Sequence, residues 1–193
     1  MQLVLKECTI RSWRLDDAES IARHANNRKV WLALRDAFPH PYTIQDAHEF
    51  LQQAISAQPP TLFCIEINGA AAGGIGIRLG QDVHRHTAEF GYWLAEEFWG
   101  RGIMTEAVGA FTDFCFDNFS LRRIYAEPFA NNPASARVWK KPASFSKDAS
   151  RTMSLKTETF SIPCSTLGRS SVVQAGDLRV SPLRGEWLAS LRQ

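Results

Sequence analysis

The stretch Phe98-Trp99-Gly100-Arg101-Gly102-Ile103-Met104-Thr105-Glu106-Ala107 constrains this chain more than any other. A Gly-Arg-Gly turn leads straight into an amphipathic helix, directly after the strand-like run Ala88-Glu89-Phe90-Gly91-Tyr92-Trp93-Leu94. Such a junction leaves backbone N–H groups without partners at a helix N-terminus, where the helix dipole is positive. It is a seat for a phosphate or pyrophosphate, and glycines let the backbone approach the anion closely. The same pattern also serves an ordinary strand–turn–helix junction in which glycines only tighten the turn.

The 193 residues suffice for one domain with a sizeable core. A formal net charge of +2 gives no case for a nucleic-acid or membrane partner. Six Trp argue for a packed interior bordered by amphipathic pockets. Cys8, Cys64, Cys115 and Cys164 are widely spaced, so buried reduced thiols in a cytoplasmic protein are expected, with no zinc knuckle and no metal site. The opening residues lack a signal-peptide pattern, because Lys6 and Glu7 interrupt a short apolar run. No apolar run has the roughly 18 residues that a membrane span needs.

Thr9–Arg14 reads as a short strand, and Asp16 as the N-cap of a helix through Ala18, Ile21, Ala22 and Ala25. A second short helix is expected over Arg28–Arg35, then a loop at Phe38–Tyr42, which holds two prolines. Thr43 caps another helix with Ala47, Phe50, Leu51 and Ala54 on one face. Thr61–Ile67 and Ala70–Leu79 form a hairpin about Asn68-Gly69, followed by a third antiparallel strand at His86–Leu94. After Gly102 comes a helix with Ile103, Ala107, Ala110, Phe111, Phe114 and Cys115 inside. Arg123–Phe129 is a further strand, and Pro133 suits the first turn of a last helix. Beyond Val138 the alternation fades, and Pro142, Pro163, Gly168 and Pro182 allow only short strands.

This order of elements resembles the GNAT N-acetyltransferases, and within them the RimJ/RimL-like subgroup. The resemblance spans about residues 7–138. It is carried by Gly91-Tyr92-Trp93-Leu94, Trp99-Gly100-Arg101-Gly102 with Thr105-Glu106-Ala107, Arg123-Ile124-Tyr125-Ala126, and Asn132-Pro133-Ala134-Ser135-Ala136-Arg137-Val138. It implies a mixed α/β (α+β) fold, with a mostly antiparallel twisted sheet flanked by helices. It implies acetyl-CoA as co-substrate, an amine acceptor (a protein N-terminus or a small molecule) and a homodimer. By resemblance Trp93 and Leu94 line the pantetheine arm, while Trp99, Gly100, Arg101, Gly102, Ile103, Met104 and Thr105 hold the phosphates. Trp99 and Met104 depart from the generic Q/R-x-x-G-x-G/A pattern.

The chemistry is attack of a neutral amine on a thioester, with donors for the oxyanion and a proton for the departing thiolate. By resemblance Asn132 contacts the cofactor and Ser135 donates a proton or positions a water. Glu89 is the first candidate base and Glu127 the second; an ion-paired or solvated carboxylate is the alternative for both. Orientation alone supplies much of such a rate. Asn26-Asn27-Arg28 and Trp31–Tyr42 border the acceptor side, or else only cap and pack. A non-catalytic acyl-CoA binder and an inactive enzyme stay open as alternatives. A dinucleotide-binding protein is disfavoured, since the Gly-rich turn follows a hairpin and Gly73-Gly74-Ile75-Gly76 precedes no helix. His84 and His86 have no further ligand at a useful spacing.

The family pattern continues as V-L-E-K-A-G-F, where this chain has Val138-Trp139-Lys140-Lys141-Pro142-Ala143-Ser144. Joining the third base of each codon to the first two of the next restores it. Val138 and Trp139 give NTG, which permits Leu; Trp139 and Lys140 give GAA, which is Glu; the next codons permit Lys, Ala, Gly and Phe. Phe145–Ala149 permit L-E-G-R, Lys156–Glu158 permit D-G, and Phe160–Thr166 permit L-D-T-L-L-Y. One base missing near the Val138 codon is therefore expected, dividing the chain into a domain at 1–138 and an out-of-frame tail at 139–193. The alternative is a divergent tail. Out of frame, the C-terminal strands are expected to be missing or irregular, leaving a sheet edge poorly covered.

Overall fold

The computed structural model describes residues 1–130, 132–140 and 152–155. Among these, seven strands form one sheet in the order β1 (Gln2–Val4), β2 (Thr9–Arg11), β3 (Leu62–Ile67), β4 (Ala70–Leu79), β5 (Thr87–Leu94), β6 (Arg123–Ala126) and β7 (Thr152–Leu155). Every pairing from β1 to β5 is antiparallel, and β5–β6 and β6–β7 are parallel. Helices α1 (Ala18–Ala25), α2 (Arg28–Trp31) and α3 (Ile44–Ser56) lie between β2 and β3 in sequence; α4 (Ile103–Asn118) follows β5, and α5 (Pro133–Lys140) follows β6. This is the mixed, mostly antiparallel sheet with flanking helices that the sequence predicts.

The β3–β4 hairpin turns on Asn68 and Gly69 with φ of 52° and 79°, the left-handed pair a type I′ turn requires. Thr43 caps α3 reciprocally: its hydroxyl accepts from the Asp46 N–H, and the Asp46 carboxylate accepts from the Thr43 N–H at 2.8 Å. Buried Ala47, Leu51 and Ala54 then face inward.

Several local expectations shift, among them the first strand, which ends at Arg11 rather than Arg14. The first ten residues contain an extra strand, β1, folded back on β2 through a turn closed by Leu5 N–H to the Cys8 carbonyl at 2.9 Å. Asp17, not Asp16, organises the start of α1, because its carboxylate accepts both the Arg14 N–H and the buried Arg11 guanidinium. Helix α2 stops at Trp31 rather than Arg35. β6 stops at Ala126 rather than Phe129, since Pro128 has no N–H to give a ladder.

The sheet separates two cores. On one face α4 packs Ile103, Ala107, Phe111 and Cys115 over Phe63, Ile75, Phe90 and Ile124. Phe111 meets Phe63 and Phe90 edge-on, at centroid distances of 5.4 and 5.5 Å. On the other face α1 and α3 bury Ile21, Leu51, Trp13, Phe38 and Tyr42. Cys8, Cys64 and Cys115 are buried free thiols. The four-residue strand β7 lies on the outer edge of β6, and the segments at 145–149 and 160–166 fall outside the described residues.

Arg11 and Asp17 form a bidentate pair at 2.8 and 2.7 Å, both nearly sealed from solvent, with Glu66 as a second carboxylate on Arg11. Removing one partner strands a buried charge. Asp17→Ala is expected to lower unfolding free energy by about 3–5 kcal/mol, measured by urea denaturation; a loss well under 1 kcal/mol contradicts this assignment.

Candidate active site

The site begins where β5 parts from β6. The two strands pair only at Thr87–Arg123, Ala88–Ile124 and Glu89–Tyr125. β5 runs on to Leu94, whereas β6 ends at Ala126, so Phe90–Leu94 has no partner in β6. The opening belongs to a cleft of about 980 Å³ that Glu89, Tyr92, Trp93, Leu94, Asn132 and Ser135 line together with the Gly-rich turn.

At the outer end of β5, Gly100 and Gly102 have φ of 77° and 81°, a conformation side-chain-bearing residues avoid. Gly102 is the N-cap of α4, so among the described residues no side-chain cap covers the N–H groups of Ile103, Met104 and Thr105 at the start of the helix. The side chains of Ile103 and Met104 are buried in the α4 core, leaving their backbone for any ligand. Trp99 spends its indole N–H on the Leu94 carbonyl at 2.7 Å, pinning the turn to the end of β5. Arg101 turns back, donating to the Glu97 carbonyl at 2.9 Å and lying over the Phe98 ring. It does not line the cleft, whereas Trp99, Gly100, Gly102, Ile103, Met104 and Thr105 do. Behind the turn, the Asn27 side chain caps α2 and donates to Glu96 at 2.9 Å, and Lys29 also reaches Glu96.

Across the opening stands α5. The Asn132 Oδ1 accepts the Ser135 N–H at 3.0 Å, so this side chain caps the helix. The Ser135 hydroxyl lies 2.8 Å from the Tyr92 hydroxyl. Burial pushes the Tyr92 phenol up, with the Ser135 hydrogen bond acting the other way. Trp139 anchors α5, buried and edge-on to Phe90 at 5.2 Å.

At the fork, Glu89 is 5% exposed and both of its oxygens are held, one by Arg35 and the other by Arg78. Arg35 also reaches Glu127 at 3.3 Å. The ion-paired alternative weighed for both carboxylates is thus the arrangement present. Arg78 and Tyr92 are the residues sequence reasoning left without a role. Alternation along β5 places Phe90, Tyr92 and Leu94 on one face, and hairpin register sets Arg78 opposite Glu89. His84 sits in a short 3-10 turn, and His86 bonds the Ser120 carbonyl. Trp31 donates to the Phe38 carbonyl at 3.0 Å, and Phe38 stacks on Tyr42, which gives both a packing role.

A family model, the acetyltransferase (GNAT) domain, matches residues 7–142. The chain belongs to the GNAT acetyltransferase family. Among curated proteins it is similar to the probable N-acetyltransferase YjcK of Bacillus subtilis, 44% identical over 62 residues, which is 32% of this chain and 34% of that protein. It is also similar to the putative ribosomal N-acetyltransferase YdaF of Bacillus subtilis, 37% identical over 71 residues, covering 37% and 38% of the two. The chain thus spans about a third of the length of these curated relatives. In fold it is similar to a GNAT acetyltransferase from Bacillus anthracis, with TM-score 0.62 and 22% identity over 72% of this chain and 81% of that one. RimL, a ribosomal L7/L12 alpha-N-protein acetyltransferase solved with coenzyme A, aligns with TM-score 0.61 and 21% identity over 72% and 80%. The likeness to these solved structures is one of fold.

Because Trp139 seats α5 in the core, Trp139→Ala is expected to cost about 3–5 kcal/mol and Trp139→Leu clearly less. Paired urea melts check this; equal losses contradict the seating.

Proposed function

We propose that the chain transfers an acetyl group from acetyl-CoA to a primary amine. The observation that carries this reading is the opening between β5 and β6, which leads from an uncapped helix N-terminus to two carboxylates. The pyrophosphate sits on the first-turn N–H groups of α4 behind Gly100 and Gly102. The pantetheine arm lies along Phe90–Leu94 as an added strand beside Trp93 and Leu94. Two solved relatives, RimL and the microcin C7 self-immunity acetyltransferase MccE, are complexes with coenzyme A and with acetyl-CoA and AMP. Their identity to this chain, 21% and 24%, limits their support to the fold.

In the reaction the amine nitrogen attacks the thioester carbonyl, the C–S bond breaks and the thiolate takes a proton. Ser135, across the cleft from β5, is the proton donor. Glu89 is the base that accepts the amine's proton, directly or through a water, which requires Arg35 to release one oxygen. A protein N-terminus is the favoured acceptor class, on the strength of ribosomal-protein acetyltransferases among the relatives. The protein works in the cytoplasm as a homodimer. No helix among the described residues is long and apolar enough to cross a membrane.

We place the end of the catalytic domain at Val138, with an out-of-frame tail from Trp139. The codon overlap supports this reading. Trp139 falls at the position of the pattern's Leu and still fills the core. With that tail the chain is either a weakened enzyme or an acyl-CoA binder without turnover.

Calorimetry with acetyl-CoA tests the cofactor reading, and thiol release over a panel of peptide and small amines tests turnover. Gly102→Ala is expected to raise the acetyl-CoA Kd by about 5- to 30-fold, from about 1–2 kcal/mol of left-handed strain that displaces the N–H groups. An unchanged Kd argues against this seat. Glu89→Gln is expected to reduce turnover about 100-fold, with the deficit shrinking as rising pH deprotonates the amine itself. A deficit independent of pH assigns Glu89 a structural role. Restoring the reading frame is expected to raise the melting temperature; equal values for the two forms contradict the frame reading.

A further inference from the structure

Tyr92 carries none of the roles above, yet its side chain joins β5 to the proposed proton donor. Its ring lies on the α4 face of β5, packed against the main core, and its hydroxyl reaches Ser135 at 2.8 Å. Both residues line the cleft. A serine hydroxyl carries a single proton, so what that proton does depends on what the oxygen accepts. If Tyr92 donates to Ser135 Oγ, the serine proton is left to point at a ligand; if Ser135 donates to Tyr92, it is spent. Nor is Ser135 free to relocate, because Asn132 Oδ1 holds its backbone N–H at 3.0 Å and Trp139 seats the same helix against Phe90.

We infer that Tyr92 is a positioning residue whose O–H donates to Ser135 Oγ and thereby aims the serine proton at the sulfur of bound coenzyme A. Burial keeps the phenol protonated, so Tyr92 has a proton to donate to Ser135. Tyr92 keeps that proton throughout. When the C–S bond breaks, the thiolate takes the Ser135 proton, and Ser135 regains one from solvent through the open cleft. A hydroxyl pair ordered in advance needs no reorientation as charge develops on sulfur. The inference rests on the acetyl-CoA reading of the cleft.

The test needs binding but not turnover. Coenzyme A is bound to the full chain, and its thiol is titrated by thiolate absorbance, with desulfo-coenzyme A as the blank. A donor aimed at sulfur holds the bound thiol pKa below that of free coenzyme A. Tyr92→Phe is expected to raise it by about one pH unit, the scale of one hydrogen bond to a charged group. Ser135→Ala is expected to raise it as far, and the double variant no further. Coenzyme A affinity is expected to stay within about threefold, and far-UV spectra and melting of each variant verify folding. A Tyr92→Phe thiol that titrates as in the parent chain overturns the inference. So does an additive double variant, which means that Tyr92 acts on sulfur directly. If the parent chain binds no coenzyme A, the cofactor reading itself fails, a result distinct from bound coenzyme A with an unmoved thiol.

Discussion

The parting of β5 from β6 is the constraint on which the rest of this protein depends. A continuous sheet has no room for a ligand within it, because neighbouring strands lie under 5 Å apart and satisfy each other's backbone. Here the parallel ladder holds as far as Glu89–Tyr125 and then ends. Pro128 contributes to this, since it removes a donor just where β6 would have to continue, and the chain turns instead to the Asn132 cap of α5. The strand left without a partner in β6 points its outer end at the Gly102 helix start. One interruption therefore brings the start of α4, an extended backbone edge and a pair of carboxylates into one region.

The charges at the fork follow from the same geometry. Glu89 is the last position of β5 paired with β6, where the sheet is still closed on both sides, and it is buried. A buried carboxylate needs partners, and it finds Arg78 across the β4–β5 ladder and Arg35 from the segment after α2. Arg35 is the more informative of the two, because it spans Glu89 and Glu127 and so ties the segment after α2 to β5 and to the residue that follows β6.

Local signals in the sequence carried much of this architecture. The bounds of β4, the left-handed Asn68-Gly69 turn, the Thr43 cap and the Gly102 start of α4 each depend on residues within a few positions of one another. What was not legible depends on register or on distant partners. β1 is too short to show a period and forms only by pairing with β2. Asp16 and Asp17 are equivalent as caps in the sequence; Arg11, a residue of β2, decides between them. The Tyr92–Ser135 and Arg78–Glu89 contacts were hidden for the same reason: one needs the placement of α5, the other the exact strand alignment. Tyr92 stood inside a motif that already explained it, and so attracted no role.

Helix α5 bears on how this fold would accommodate the proposed change in its final segment. Its cap, Asn132, and its serine lie before the proposed slip in frame, whereas its anchor lies after it. The anchoring position demands bulk and apolarity more than identity, in keeping with the tolerance of cores for hydrophobic replacement. Trp139 supplies both and meets Phe90 edge-on. Strand pairing is less forgiving, because a sheet edge needs a run of alternating residues in register and not one well-placed ring. Among the described residues, β6 has the four residues of β7 in parallel beside it. Under the proposed frame reading, the change beyond Val138 weighs on closing the sheet, while the helix that carries Ser135 stays seated by Trp139 in the core.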